Sequence, residues 1–270
     1  QISEKALRVR MGRTAEHGSR NLRQIRVFPH RRREGSRAVS LTPAELDALR
    51  LSLLVASVGT AASLLPALGI AWALARYRFP GKILLDGLIH LPLVLPPVVI
   101  GYILLVGLGR RGVIGAWLYE SFGITFAFTW KGAAIVAAVM GFPLLVRALR
   151  LSIETLDDGL VGVARTLGAG PLRAFMTVTL PLITPGLLTG AILAFARALG
   201  EFGATIAFVG NIPGQTQTLP LALYSALQLP GGEEAAWRIV LISTLFAVAL
   251  LGLSELSNRF LTRRLTGTRP

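Results

Sequence analysis

The 270-residue sequence contains no cysteine, which excludes disulfides, thiolate catalysis and thiolate metal sites. Its three histidines, His17, His30 and His90, offer no two at metal-ligand spacing on one helix. Charge is scarce: 16% of residues are Asp, Glu, Lys or Arg, against roughly 25% in a soluble domain. Acidic residues are the scarcer sign, 14 against 28 basic, leaving a net charge of +14. There is also no Gly-x4-Gly-Lys-Ser/Thr phosphate loop, so the chain is not expected to hydrolyse ATP by that route.

What is present is apolar. Hydrophobic residues make up 53% of the chain, and the mean hydropathy is +0.61. They gather in uncharged runs at 51–75, 87–109, 132–146, 174–196, 202–232 and 239–254. A helix needs ~20 apolar residues to cross ~30 Å of hydrocarbon. The expected fold is therefore all-α, a polytopic membrane protein with about five transmembrane helices: Leu49–Ala75, Ile83–Leu108, Trp130–Leu149, Pro185–Val209 and Trp237–Leu256. The first opens at Thr42-Pro43-Ala44-Glu45, with Pro at its first position. The run 202–232 is broken by Asn211, Pro213, Gly214 and Pro230, so most of it reads as a loop with a short helix at Leu219–Leu227.

Basic residues set the expected orientation. Eleven (Arg76, Arg78, Lys82, Arg147, Arg150, Arg165, Arg173, Arg259, Arg263, Arg264, Arg269) fall in one set of loops. Four (Arg110, Arg111, Lys131, Arg238) fall in the other. The first set is expected to be cytoplasmic, with the N-terminus outside and the C-terminus inside. Residues 1–40 hold eleven Lys/Arg against three Glu, with no apolar periodicity. They read as a disordered extension dispensable for function and translated from upstream of the working start. A nucleic-acid arm or a transit peptide are the alternatives, the first weakened by Phe28 being the sole stacking ring there. The expected working domain is 41–258, followed by a basic cytoplasmic tail at 259–270.

About 35 residues separate the third and fourth spans, where 2–8 are usual in bundles. Within this segment, 151–184, Leu160, Val163, Ala164 and Leu167 recur at helical spacing. Gly168-Ala169-Gly170-Pro171 breaks that helix, and a second runs from Leu172 to Leu180 before Pro181. Two short helices at an angle fit the pattern, either docking in a partner's groove or lying in the headgroup layer.

Inside the fourth span, Arg197 and Glu201 stand at i, i+4 and can pair. Charges at mid-bilayer cost ~2.5–3.5 kcal/mol on insertion scales, so they face a cavity or a partner. The pair either locks helix packing, or Arg197 sets anion preference while Glu201 orients it. Gly200 and Gly203 beside it permit close approach or local unwinding. Pro92, Pro96 and Pro97 in the second span point to a hinge or gate. Thr205 and Ser225 are hydroxyl candidates for holding an anion.

The segment Ala164-Arg165-Thr166-Leu167-Gly168-Ala169, with Val178 and Leu180-Pro181 following, resembles the coupling loop of type I ABC importer permeases. Val161 stands where that motif has Glu, and Asp157 and Asp158 lie one turn earlier. His90–Tyr102, Phe195–Ile206 and Asn211–Pro220 resemble the molybdate permease family, although sulfate/thiosulfate permeases share Ala-Arg-x-x-Gly-Glu-Phe-Gly. The resemblance covers roughly 41–265. It implies a non-catalytic permease of the bacterial inner membrane, a homodimer carrying an oxyanion inward. Its implied partners are two ATP-binding subunits, which hold the ATP and magnesium, an extracytoplasmic oxyanion-binding protein and membrane lipid, with no nucleic acid. No cofactor is implied in this chain. Molybdate is the favoured cargo, with tungstate or sulfate as alternatives. A secondary anion transporter ranks lower, since inverted repeats and several intramembrane acids are lacking.

Overall fold

The computed structural model describes residues 41–266, so the expectations for residues 1–40 lie outside the described residues. Ten helices occupy the described chain, without strands. Helix α1, Pro43–Arg76, starts where expected. Thr42 caps it and accepts from the Glu45 N–H at 3.3 Å, while the Glu45 carboxylate accepts the Thr42 N–H at 2.8 Å. This reciprocal box satisfies two otherwise orphaned donors. Glu45 also receives Arg238 at 2.9 Å, tying the start of α1 to the start of the last helix.

Next come α2, Lys82–Val94, and α3, Pro97–Leu108, the two halves of the expected second span. They are bent by 114° at Leu95-Pro96. Two consecutive prolines hold Leu95 and Pro96 extended, at ψ 144° and 133°, because each residue before proline is pushed out of the helical region. Pro97 then serves as the first residue of α3, where its missing N–H costs nothing. A further helix, α4 at Val113–Phe122, occupies what reads in the sequence as a connecting loop; Gly123 ends it at φ +66°.

Helix α5, Trp130–Glu154, is the most buried of the long helices and the axis of the bundle. Its small residues admit both neighbours closely. A β-carbon on Gly59 of α1 would stand 2.7 Å from the Ala134 carbonyl oxygen. One on Gly190 of the seventh helix would meet Ala148 at 3.0 Å. Helices surrounded by lipid gain little from burying apolar surface against each other, so small residues and close backbones supply the packing.

Helix α6, Asp158–Thr166, follows. The chain restarts at Pro171 and continues helically to Leu199 as α7. The second short helix expected at Leu172–Leu180 is thus not separate but forms the opening turns of the fourth span. Pro181 does not stop it, because residues Phe175–Thr179 widen into a π turn. The Leu180 N–H then reaches the Phe175 carbonyl, and the wider ring accommodates a proline one residue later.

The fourth span also ends sooner than expected: α7 stops at Leu199, and a short α8, Gly203–Val209, follows the Gly200–Phe202 break. Helix α9, Leu219–Gln228, matches the expected short helix. Helix α10, Glu233–Thr266, contains the sixth uncharged run, the expected fifth span, and continues through the first residues of the expected tail. By length and composition α1, α5 and α7 can each cross a membrane unbroken, and the bent α2–α3 pair makes a fourth candidate.

Candidate functional site

At one end of the bundle, α6 and the opening of α7 form an elbow. The Asp157 side chain begins α6 by accepting the Gly159 N–H at 2.8 Å. Asp157 is thus engaged in capping through Oδ1, and Val161, where the motif has Glu, is half-buried. The helix ends in a Schellman turn. The Gly168 N–H donates to the Arg165 carbonyl at 3.0 Å and the Ala169 N–H to the Ala164 carbonyl at 3.0 Å. Gly168 sits at φ +88°, a left-handed conformation that glycine adopts without the strain a β-carbon brings.

The expected coupling residues Ala164, Arg165, Thr166, Leu167, Gly168 and Ala169 are therefore contiguous on this turn. Arg165, Thr166 and Gly168 are exposed, and Leu167 is 83% exposed. Leu160, Val163, Leu172 and Met176 are exposed as well, so the elbow presents apolar side chains instead of burying them.

Deeper in the bundle the two helix breaks meet. A β-carbon on Gly203 would lie 3.0 Å from the Pro97 Cβ and 3.4 Å from the Val98 nitrogen. One on Gly101 of α3 would lie 2.4 Å from the Ala204 carbonyl oxygen. Helices α3 and α8 thus approach closely, Gly203 against Pro97 and Val98 and Gly101 against Ala204 and Ala207, so the Pro96-Pro97 break and Gly203 belong to one junction. Pro92 does not join them. It lies inside α2 and lines a cleft of about 390 Å³ with Pro66, Ser63 and Phe142. The bend in the expected second span falls at Pro96 and Pro97, and Pro92 lies away from it.

Glu201 holds the second break together. Its carboxylate is 3% exposed; one oxygen accepts the Ala204 N–H at 2.9 Å, and the other pairs with the Arg197 guanidinium at 2.5 Å. The pair forms as expected, although not within one helix: Arg197 is in the last turn of α7 and Glu201 lies beyond its end. The anion bridges the end of one helix to the first N–H groups of the next, where negative charge is favoured. Arg197 remains 28% exposed.

At the far side of this junction, Asn211, Gln217 and Ser225 form a hydrogen-bonded triangle. The Asn211 amide donates to the Ser225 hydroxyl at 2.7 Å, and the Gln217 amide donates to Asn211 Oδ1 at 2.9 Å. Ser225 itself donates to the Leu221 carbonyl, and Thr205 is buried in α8. Sequence reading picks out Ser225 but not its two amide partners, because the triangle depends on how strap 210–218 folds back. The Leu219 N–H donates to Ser52 Oγ at 2.7 Å, fixing that strap to α1.

Residues 66–266 match the family described as binding-protein-dependent transport system inner membrane component. The molybdenum transport system permease protein ModB of Escherichia coli (strain K12) is 58% identical over 215 residues, covering 80% of this chain and 94% of that protein. The sulfate transport system permease protein CysT of Salmonella typhimurium is 37% identical over 232 residues, covering 85% and 82%. A bacterial ABC transporter involved in the import of the acidic polysaccharide alginate shares the fold, with a TM-score of 0.59 at 16% identity, covering 83% of this chain and 80% of that one. The apolar helices, the broken spans and these likenesses lead to one assignment: the chain belongs to the family of binding-protein-dependent transport system inner membrane components.

Proposed function

We propose that this chain is the transmembrane subunit of a molybdate importer, working as a homodimer with two separate ATP-binding subunits and an extracytoplasmic oxyanion-binding protein. The observation that carries the cargo is the 58% identity to a molybdenum permease across nearly its whole length, against 37% to a sulfate permease. The chain contributes no catalytic group. ATP and magnesium are held by the partner, and N-outside, C-inside orientation follows from the eleven-to-four division of basic residues.

The elbow is the docking element on the cytoplasmic side. Exposed Leu160, Val163, Leu167 and Leu172 around a rigid glycine turn make a small apolar knob, the kind of surface a partner covers. Along the pathway, the α3–α8 junction places irregular backbone inside the bundle, which membrane proteins tolerate where it is buried in protein or lines a cavity. Arg197 supplies a positive charge there, and Glu201 tempers it so that a dianion is admitted and also released.

The test is ATP hydrolysis by the purified complex in liposomes, stimulated by molybdate-loaded binding protein, with uptake of labelled molybdate competed by sulfate. Stimulation by molybdate and weak competition by sulfate are expected. Equal competition by sulfate would overturn the cargo, and absence of stimulation would overturn the docking role of the elbow.

A further inference from the structure

Helix α2 is held to the rest of the chain by little. It is a 13-residue rod between two non-helical joints, Tyr77–Gly81 before it and Leu95-Pro96 after it. Gly81 stands at φ +85°, so the first joint uses a backbone state that side-chain-bearing residues avoid. One α2 side chain, Ile89, is buried. Ile83 and Leu84 are 90% and 78% exposed.

The polar tie between α2 and the bundle axis is an ion pair. Asp86 Oδ2 accepts from Arg150 Nη1 of α5 at 3.0 Å. The Arg150 end of that pair is oriented from behind, its Nε donating to Glu154 at 2.7 Å. His90 Nδ1 sits beside Asp86, 2.8 Å from its main-chain carbonyl and 3.3 Å from Oδ1, which makes no hydrogen bond. Glu154 is the last residue of α5, and Asp157, three residues on, caps α6 of the elbow. One guanidinium thus joins the end of α5, which leads into the elbow, to the first half of a broken span. The pair is 64 residues apart in sequence, so it is not a local helix contact of the i, i+4 kind.

Resting on the permease reading above, we propose that Asp86 and Arg150 form the link through which the root of the elbow sets the position of α2, making both positioning residues for transport. When the ATP-binding subunits move the elbow, the end of α5 moves with it. Arg150 carries that displacement to α2, which pivots at Gly81 and at Leu95-Pro96. The side chains touch no cargo; they convert a docking motion into movement of one half-helix.

This chain has no cysteine, so spin labels can be placed at Ile83→Cys on α2 and Leu151→Cys on α5 without background from it, in a complex assembled with cysteine-free ATP-binding subunits. The measurement is the distance between them in the liposome-reconstituted complex, with and without ATP, beside uptake per ATP hydrolysed. Asp86→Asn is expected to broaden the distance, abolish its response to ATP and lower uptake per ATP about fivefold or more, the scale of a typical coupling energy, while the ATP-binding subunits still co-purify. Arg150→Gln is expected to do the same, and Asp86→Glu to retain most of both signals. Unchanged distance response or unchanged uptake per ATP in the two neutral variants would overturn the link. Failure of the ATP-binding subunits to co-purify with the unsubstituted chain would overturn the docking reading and the link together.

Discussion

Gly168 and Glu201 show what single residues contribute. Gly168 has open space where a β-carbon would be, so its requirement is conformational and not steric within this chain. Placing alanine at φ +88° costs about 1–2 kcal/mol, and Gly168→Ala is expected to weaken binding of the ATP-binding subunits by roughly tenfold. Gly168→Asn should fall between alanine and the native residue, because asparagine visits the left-handed region more readily. A pull-down titration ranks the three; asparagine binding worse than alanine would mean that the partner's space, not the turn, demands glycine. The glycine was legible from its place in a motif. Its reason, the two Schellman hydrogen bonds, required knowing where α6 ends.

For Glu201, truncation removes two contacts at once. Glu201→Ala leaves Arg197 without its partner and the Ala204 N–H without its acceptor; breaking a buried pair from one side costs about 3 kcal/mol. Glu201→Gln keeps an acceptor and should lose less. Thermal unfolding of the detergent-solubilised protein should therefore order native above Gln above Ala. A glutamine variant as unstable as the alanine variant would show that charge alone matters. The i, i+4 spacing disclosed this pair, but not that the helix ends between its members.

Among the elements, the breaks and the close crossings matter most. Replacing both Pro96 and Pro97 by alanine restores two N–H groups and frees Leu95 to become helical. The double variant is expected to straighten the 114° bend, lifting α3 away from Gly203 and lowering uptake while the protein still inserts. Full uptake with a straightened helix would exclude the junction from the pathway. At the α1–α5 crossing, Gly59→Val puts a β-carbon 2.7 Å from the Ala134 oxygen. Overpacking of this kind costs about 1–3 kcal/mol, and a lowered melting temperature should record it; unchanged melting would mean that the crossing yields easily.

The long apolar runs, the capped start of α1 and the short α9 could all be read from composition, because each is set by local chemistry. The continuity of α7 through Pro181 could not, since a π turn rescues a residue that ordinarily stops a helix. Nor could the separation of Pro92 from Pro96 and Pro97, which depends on which neighbour each ring meets. Helix α4 escaped notice because a ten-residue helix between glycines looks like a loop when spans are sought by length.

For the whole molecule, the distribution of positive charge and the absence of a phosphate loop bear on the same question. A chain with three helices able to cross a membrane among its described residues, four with the bent pair, and no ATP-binding motif is expected to transport only when a partner supplies the energy. The most direct measurement is uptake of labelled molybdate into liposomes containing this chain, with and without the ATP-binding subunits and with ATP on their side. Uptake that requires both the subunits and ATP, and that persists when ion gradients are collapsed, is the expected result. Uptake by the chain without the subunits, driven by a proton or sodium gradient, would contradict it.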